Sequence, residues 1–177
     1  MIKPVGEMVK AKLGNVVYGT DISGLDRLVM DLLLERGMTL SAAESCTGGL
    51  LSGTLVDVAG VSDVLNQAYV TYANEAKQSM VGVRAETLEA YGAVSEQTAK
   101  EMAEGGAKAA KADACLAVTG IAGPDGGSEE KPVGLVYIGC CVNGNTVVER
   151  NVFAGSRREV REQSVEAALR LLKKQLQ

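Results

Sequence analysis

Apolar positions along this chain follow two rhythms, and the switches between them lay out an ordered set of elements. In "SGLDRLVMDLLLERG", Leu25, Leu28, Val29, Leu32 and Leu33 recur at helical spacing, and Gly37 supplies the stop. Ser23 followed by Asp26 reads as a capping box with a shortened acid. "MTLSAAES" reads as a buried strand, followed by a glycine turn and a helix that begins near Gly48 and runs through "LLSGTLVDVAG". "NQAYVTYAN" alternates as a strand and feeds a helix from Asn74 to Met80, with Asn74 as its N-cap. Two more helices follow, "AETLEAYG" and "SEQTAKEMAEGGAKAAKA", the second opened by Ser95. "DACLAVTG" is a buried strand leading into the loop "IAGPDGGSEEKP". "VGLVYIGCCV" and "TVVERNVFAG" flank Asn143-Gly144, a dipeptide suited to a two-residue hairpin turn. "SRREVREQSVEAALRLLKKQL" closes the chain as an amphipathic helix capped by Ser156.

Strands alternate with helices early, and an antiparallel pair comes late. That order predicts one mixed sheet covered by helices on both faces. The opening residues read differently. "KPVGEMVKAKLGNVVYGTD" has a weak helical pattern and then a short apolar stretch, Asn15 to Tyr18, with strand character. Residues 1–22 are therefore expected to be a linker-like segment ahead of one domain spanning 23–177. No internal repeat or low-complexity stretch interrupts the pattern.

Composition narrows the class. The chain has 177 residues with 46 % apolar and 23 % charged content, in the range of a globular domain with a sizeable core. Tryptophan is absent and Phe153 is the only phenylalanine, so the core must be aliphatic. The net charge of -4 argues against general nucleic-acid binding, which needs a basic face to displace counterions. No apolar run approaches the ~20 residues that span a bilayer. Cys46, Cys115, Cys140 and Cys141 show no CxxC spacing, and Cys140 and Cys141 should face opposite sides of their strand. There is no histidine, which leaves a zinc site only cysteines and carboxylates. The expectation is a reduced, cytoplasmic protein.

The missing histidine makes "AAESCTGG" a chemical question. Ser45, Cys46 and Thr47 are all potential nucleophiles, and a base other than imidazole has to activate them. A turn between strand and helix offers free backbone N–H groups at Cys46, Thr47 and Gly48, able to hold a phosphate or an oxyanion, while Ser45 and Thr47 also suit a helix cap. The pattern is neither a P-loop nor GxGxxG. In "TYANEAK", Lys77 falls at the third helical position, close to the positive end of the dipole. Dipole repulsion and burial both favour a neutral amine there, able to take a proton from a serine hydroxyl, whereas an exposed Lys77 is simply solvated. Tyr72 stands where it can relay a proton or hold the lysine. After the buried strand, Thr119, Gly120 and Gly123 bring N–H groups towards a ligand; Asp125, Glu129 and Glu130 suit a solvated acidic loop better than a metal site. Arg157 sits in the first turn after Ser156, unfavourable for a cation unless an anion shares the site; Arg158 and Arg161 read as surface charge.

Taken together, "AESCTGG", "VTYANEAK", "GAVSEQT", "TGIAGPDGGSEEKPVG" and "FAGSRR" resemble the family of CinA C-terminal domains and stand-alone PncC nicotinamide-nucleotide amidohydrolases. The likeness runs from about Ser23 to the C-terminus, and "KLGNVVYGTD" resembles the linker ahead of that domain in longer CinA proteins. It implies a three-layer α/β/α sandwich around a mixed sheet with a late antiparallel hairpin. The implied activity is deamidation of nicotinamide mononucleotide to the acid mononucleotide and ammonia, with no metal and no cofactor. By motif, the resemblance makes Ser45 the nucleophile, Tyr72 and Lys77 its catalytic partners, and Arg157 a functional arginine. Asn74, Thr119 and Gly120 complete the expected substrate contacts, with the Cys46, Thr47 and Gly48 backbone at the oxyanion. "FAGSR" departs from the "FPGDR" of many relatives and alters the surroundings of Arg157. The expected partners are the small-molecule substrate and a second copy in a homo-oligomer, with no membrane and no direct nucleic acid.

Two rivals stay open at this stage. Cys46, Lys77 and Glu44 have the residue types of a Cys-Lys-Glu triad, but neighbours leaving a strand face different ways, so Ser45 and Cys46 should not both reach Lys77. A non-catalytic nucleotide-binding or regulatory domain of a longer CinA protein is the other alternative.

Overall fold

A computed structural model of the chain describes residues 24–177 and, ahead of them, Met8, Val9, Ala11 and Lys12, which are helical and exposed. The strand expected over Asn15 to Tyr18 and the Ser23 cap lie outside the described residues. The elements run α1 Leu25–Glu35, β1 Leu40–Glu44, α2 Leu50–Val56, β2 Leu65–Val70, α3 Asn74–Val81, α4 Ala85–Tyr91, α5 Glu96–Ala110, β3 Ala114–Gly120, β4 Leu135–Val142, β5 Asn145–Val152 and α6 Arg157–Gln175. The strands form one sheet in the order β2-β1-β3-β4-β5. β1 runs parallel to both β2 and β3, whereas β3–β4 and β4–β5 are antiparallel. The mixed sheet read from element order is therefore present. Asn143 and Gly144 take positive φ values of 49° and 81°, the conformation a two-residue hairpin turn requires.

Side-chain alternation divides the interior in two. One core collects Leu25, Val29 and Leu33 of α1, Leu51 and Leu55 of α2, and Leu169 and Leu172 of α6 against Leu40, Ala42, Leu116 and Ile138. The other joins Val81 of α3 and Met102, Ala103 and Ala107 of α5 to Ala43, Cys115, Ala117 and Cys141. Helices thus cover both faces, giving three layers. Each fully buried Leu or Val contributes about 1.5–3 kcal/mol over an exposed one. Cys140 and Cys141 fall in different cores, as a strand's two-residue period demands.

Three boundaries differ from the sequence expectation. The N-cap of α1 is Gly24, with no side-chain cap hydrogen bond. α2 starts at Leu50 instead of near Gly48, because Gly48 and Gly49 adopt φ values of +57° and +94° that a right-handed helix excludes. Ala73, not Asn74, caps α3, so Asn74 is the first helical residue. Ser95 does cap α5, and Ser156 caps α6 in a full capping box with Glu159.

From β1 the chain crosses to β2 on one side, then to β3 on the other. The carboxyl ends of β1, β2 and β3 therefore meet where strand order reverses, the place parallel sheets leave a crevice. Among the described residues no helix is long and apolar enough to cross a membrane.

Candidate active site

Ser45 follows β1 directly, and its N–H extends the sheet by donating to the Val118 carbonyl at 2.9 Å. The two-residue period sends Ala43 and Ser45 towards α3 and Glu44 towards α2. Lys77, on α3, donates from Nζ to Ser45 Oγ at 3.0 Å, to the Thr71 carbonyl at 2.8 Å and to the Tyr72 carbonyl at 3.2 Å. Its side chain is only 1 % exposed. Burial pushes its pKa below the ordinary 10.5, opposed by negative charge at Cys46. With Ala73 as the cap, Lys77 sits one position deeper than expected, and burial, not the helix start, is the leading cause of the shift.

The three partners serve a charged amine, which donates to all of them, and a neutral one equally. An –NH2 group has two N–H bonds and one lone pair. Two carbonyls accept the N–H bonds, and the lone pair faces the Ser45 hydroxyl, which then donates. The arrangement can draw a proton off the serine.

The turn between β1 and α2 holds an anion already, and it belongs to the protein. Glu44 is fully buried, and its carboxylate accepts from the N–H of Gly49 at 2.9 Å, Leu51 at 3.1 Å and Ser52 at 2.8 Å. The Ser52 hydroxyl donates to it as well. The start of α2 is thus unavailable to a phosphate, contrary to the sequence expectation, and Glu44 is a scaffold group. The Gly48 N–H is also committed, donating to the Ser45 carbonyl at 3.1 Å. Of the three expected oxyanion donors, Cys46 and Thr47 keep N–H groups that make no backbone hydrogen bond.

Cys46 is a poor nucleophile here. Only 6 % exposed, its thiol is pushed up to about 11, chiefly by burial, with a hydrogen bond from its own backbone N–H and then the Arg161 charge pulling the other way. With Glu44 bound to α2 as well, the Cys-Lys-Glu triad does not assemble.

A cleft of about 210 Å³ opens over Ser45, lined also by Cys46, Tyr72, Gly120, Asp125 and Arg157. Arg157 donates to the Gly123 carbonyl at 2.8 Å and to the Tyr72 hydroxyl at 3.2 Å. Tyr72 therefore meets Lys77 through its main-chain carbonyl, and its ring, 61 % exposed, belongs to the cleft wall. The relay role expected for its hydroxyl finds no hydrogen bond to Ser45 or Lys77 among the described residues. Gly120 is in the lining, and a Cβ there would stand 2.6 Å from the Leu135 carbonyl oxygen, so only glycine fits. Thr119 is not available to a ligand: it is fully buried and donates to the Ala93 carbonyl at 2.7 Å. Asn74 is exposed and outside the lining. Glu129 and Glu130 are exposed on the loop, and among the described residues no group of three or more His, Cys, Asp or Glu is placed to hold a metal.

Sequence reasoning misjudged Arg161. Arg158 is surface charge, paired with Glu162, but the Arg161 guanidinium donates to the Thr47 carbonyl at 2.6 Å and so grips the nucleophile's turn. The available signal was spacing, since Arg157 and Arg161 stand four apart on one helix and share a face.

Fold and site thus define a three-layer α/β protein with a serine–lysine pair at the sheet's switch point. The family model described as the CinA C-terminal domain matches residues 22–176, and this chain belongs to that family. It is 48 % identical over 176 residues to a CinA-like protein of Kosmotoga olearia, covering 99 % of this chain. The chain spans 43–44 % of the length of the curated relatives it matches first. Among solved structures, the competence/damage inducible protein CihA of Agrobacterium tumefaciens shares 44 % identity at a TM-score of 0.85, over 91 % of this chain and 99 % of that one. A CinA-superfamily protein of Escherichia coli aligns with a TM-score of 0.81 at 33 % identity, over 89 % of this chain and 94 % of that one.

Proposed function

We propose that this chain hydrolyses the carboxamide of nicotinamide mononucleotide, releasing ammonia and the acid mononucleotide through an acyl-enzyme on Ser45. The observation that carries the reading is the buried Lys77 amine, 3.0 Å from the Ser45 hydroxyl and depressed in pKa. Neutral Lys77 takes the Ser45 proton as Oγ forms a bond to the amide carbon. The resulting oxyanion is held by the Cys46 and Thr47 N–H groups. Lys77, now protonated, returns that proton to the nitrogen as the C–N bond breaks and ammonia leaves. Water then attacks the ester, giving one proton to Lys77, which passes it back to Ser45 Oγ as the acid departs. The direct contact makes a tyrosine relay unnecessary. Arg157, at the rim of the cleft, is suited to the substrate phosphate.

The same reading takes residues 23–177 as the catalytic domain, residues 1–22 as a linker, and the working protein as a cytoplasmic homo-oligomer. Ammonia release from the mononucleotide by the purified chain is the test. Turnover is expected, and Ser45→Ala should abolish it while the circular dichroism spectrum is unchanged. Near-normal turnover by that variant would remove Ser45 as nucleophile. Binding without turnover by the unaltered chain would favour a regulatory nucleotide-binding domain instead.

A further inference from the structure

The Ser45 turn contains a chain of polar contacts that begins on a charge. Arg161 donates to the Thr47 carbonyl at 2.6 Å, shorter than the 3.2 Å bond the same oxygen accepts from Leu50 N–H. That carbonyl shares its peptide unit with the Gly48 N–H, which donates to the Ser45 carbonyl at 3.1 Å. The Ser45 carbonyl in turn shares its unit with the Cys46 N–H. The sole cis peptide among the described residues is Gly123-Pro124, so both units are trans, and in a trans unit C=O and N–H point in opposite directions. The contacts therefore run in one sense, from guanidinium to Thr47–Gly48 to Ser45–Cys46. They end on the Cys46 N–H beside the nucleophile, which donates to no other residue's backbone and whose other contact is its own thiol.

We infer that Arg161 is a positioning residue that orients and polarises the Cys46 N–H, one of the two donors to the oxyanion, through these two peptide units. The inference rests on the acyl-enzyme reading of Ser45. Hydrogen bonds in series strengthen one another, and a full positive charge at the head of the series strengthens each N–H along it. Arg161 is free to serve in this way, because no carboxylate lies within ion-pair distance of it among the described residues, whereas Arg27, Arg84, Arg158 and Arg170 are all paired. Its field reaches the terminal residue, where it opposes the rise in the Cys46 thiol pKa. Arg161 is absent from the cleft lining, so it acts on the transition state through the turn and not by touching substrate.

Arg161→Met and Arg161→Lys separate this role from a scaffold role. The probe is the mononucleotide of pyridine-3-carboxaldehyde: Ser45 Oγ bonds to the aldehyde carbon, the C=O π pair moves to oxygen, and the serine proton goes to Lys77. The expected result for Arg161→Met is a loss of about tenfold or more in kcat and in aldehyde affinity. KM and affinity for the acid product should stay within about twofold, and Arg161→Lys should recover part of the loss. Equal loss of product and aldehyde affinity, or no loss of either, would overturn the proposal. The Cys46 amide-proton resonance of the unliganded protein gives a reading independent of turnover. It should move in Arg161→Met and return towards its original position in Arg161→Lys; an unmoved resonance overturns the proposal even where the chain deamidates. An inactive unaltered chain, or an active Ser45→Ala variant, would instead strike the deamidase reading.

Discussion

Lys77 Nζ lies 3.0 Å from Ser45 Oγ across 32 positions of sequence, with two main-chain carbonyls, Thr71 and Tyr72, filling its remaining directions. Both carbonyls come from the segment between β2 and α3, and Ser45 comes from the end of β1. Pairing of β1 with β2 therefore sets the geometry of the base. The Thr71 N–H donating to the Glu44 carbonyl at 2.7 Å keeps the two segments in register beyond the strands themselves.

Because burial holds Lys77 below its ordinary 10.5, kcat/KM should rise with pH as the amine loses its proton, reaching its plateau below that value. Lys77→Arg places a guanidinium that stays charged, and turnover should fall by about 100- to 10,000-fold. Stability carries the same sign. The folded chain binds this proton less tightly than the unfolded chain, so stability increases as pH rises from the folded pKa of Lys77 towards 10.5, then levels off. Urea unfolding at a series of pH values should show that slope in the unaltered protein and lose it in Lys77→Met. A slope that survives the substitution would assign the titration to another group.

Tyr72→Phe removes the hydroxyl that accepts from Arg157 and leaves the carbonyl that accepts from Lys77. KM should increase about fivefold, the equivalent of one hydrogen bond of about 1 kcal/mol, while kcat stays within about threefold. Steady-state kinetics decide it. A fall of about a hundredfold in kcat would restore the hydroxyl as a proton relay.

Cys46→Ala should retain kcat within about twofold, since a thiol pushed up to about 11 is almost wholly protonated at neutral pH. Alkylation of Cys46 in the folded protein should be correspondingly slow, and mass spectrometry of timed samples would follow it. Rapid alkylation at neutral pH together with loss of turnover in Cys46→Ala would bring the thiolate rival back.

The elements and the mixed sheet were legible because period is a local property: Leu25, Val29 and Leu33 mark their helix whatever packs against them. Ser45 and Lys77 were legible as types in positions, a nucleophile after a strand and a lysine in a first helical turn. What escaped were assignments that depended on a distant partner carrying no chemical signal of its own. Thr119 was read as a ligand contact until Ala93, 26 residues away, took its hydroxyl. Arg161 was read as surface charge because Thr47, its acceptor, lies 114 residues earlier. Gly48 and Gly49 deferred the start of α2 to Leu50 through backbone conformation, and that shift moved Cys46 and Thr47 away from the helix start they were expected to flank.

Glu44 was the most consequential misreading, and it yields the sharpest test of the scaffold. A free helix start had been expected to receive an anionic ligand; instead a buried carboxylate fills it, accepting from three N–H groups and one hydroxyl. Glu44→Gln keeps the shape but turns one acceptor into a donor facing donors. Depending on which way the amide settles, either Gly49 and Leu51 or Ser52 lose their acceptor. Leaving such groups buried and unpaired should cost about 2–4 kcal/mol, measurable as a lower urea midpoint at unchanged slope. Because Ser45 adjoins Glu44 and the turn hangs on α2, kcat should fall with stability, even though Glu44 faces away from the cleft. Glu44→Asp is the control: charge is kept but the reach is one methylene short, so it should recover part of both losses. If Glu44→Gln lowered kcat with no change in unfolding free energy, the carboxylate would have to act in the reaction itself, and the assignment of Glu44 to the scaffold would be wrong.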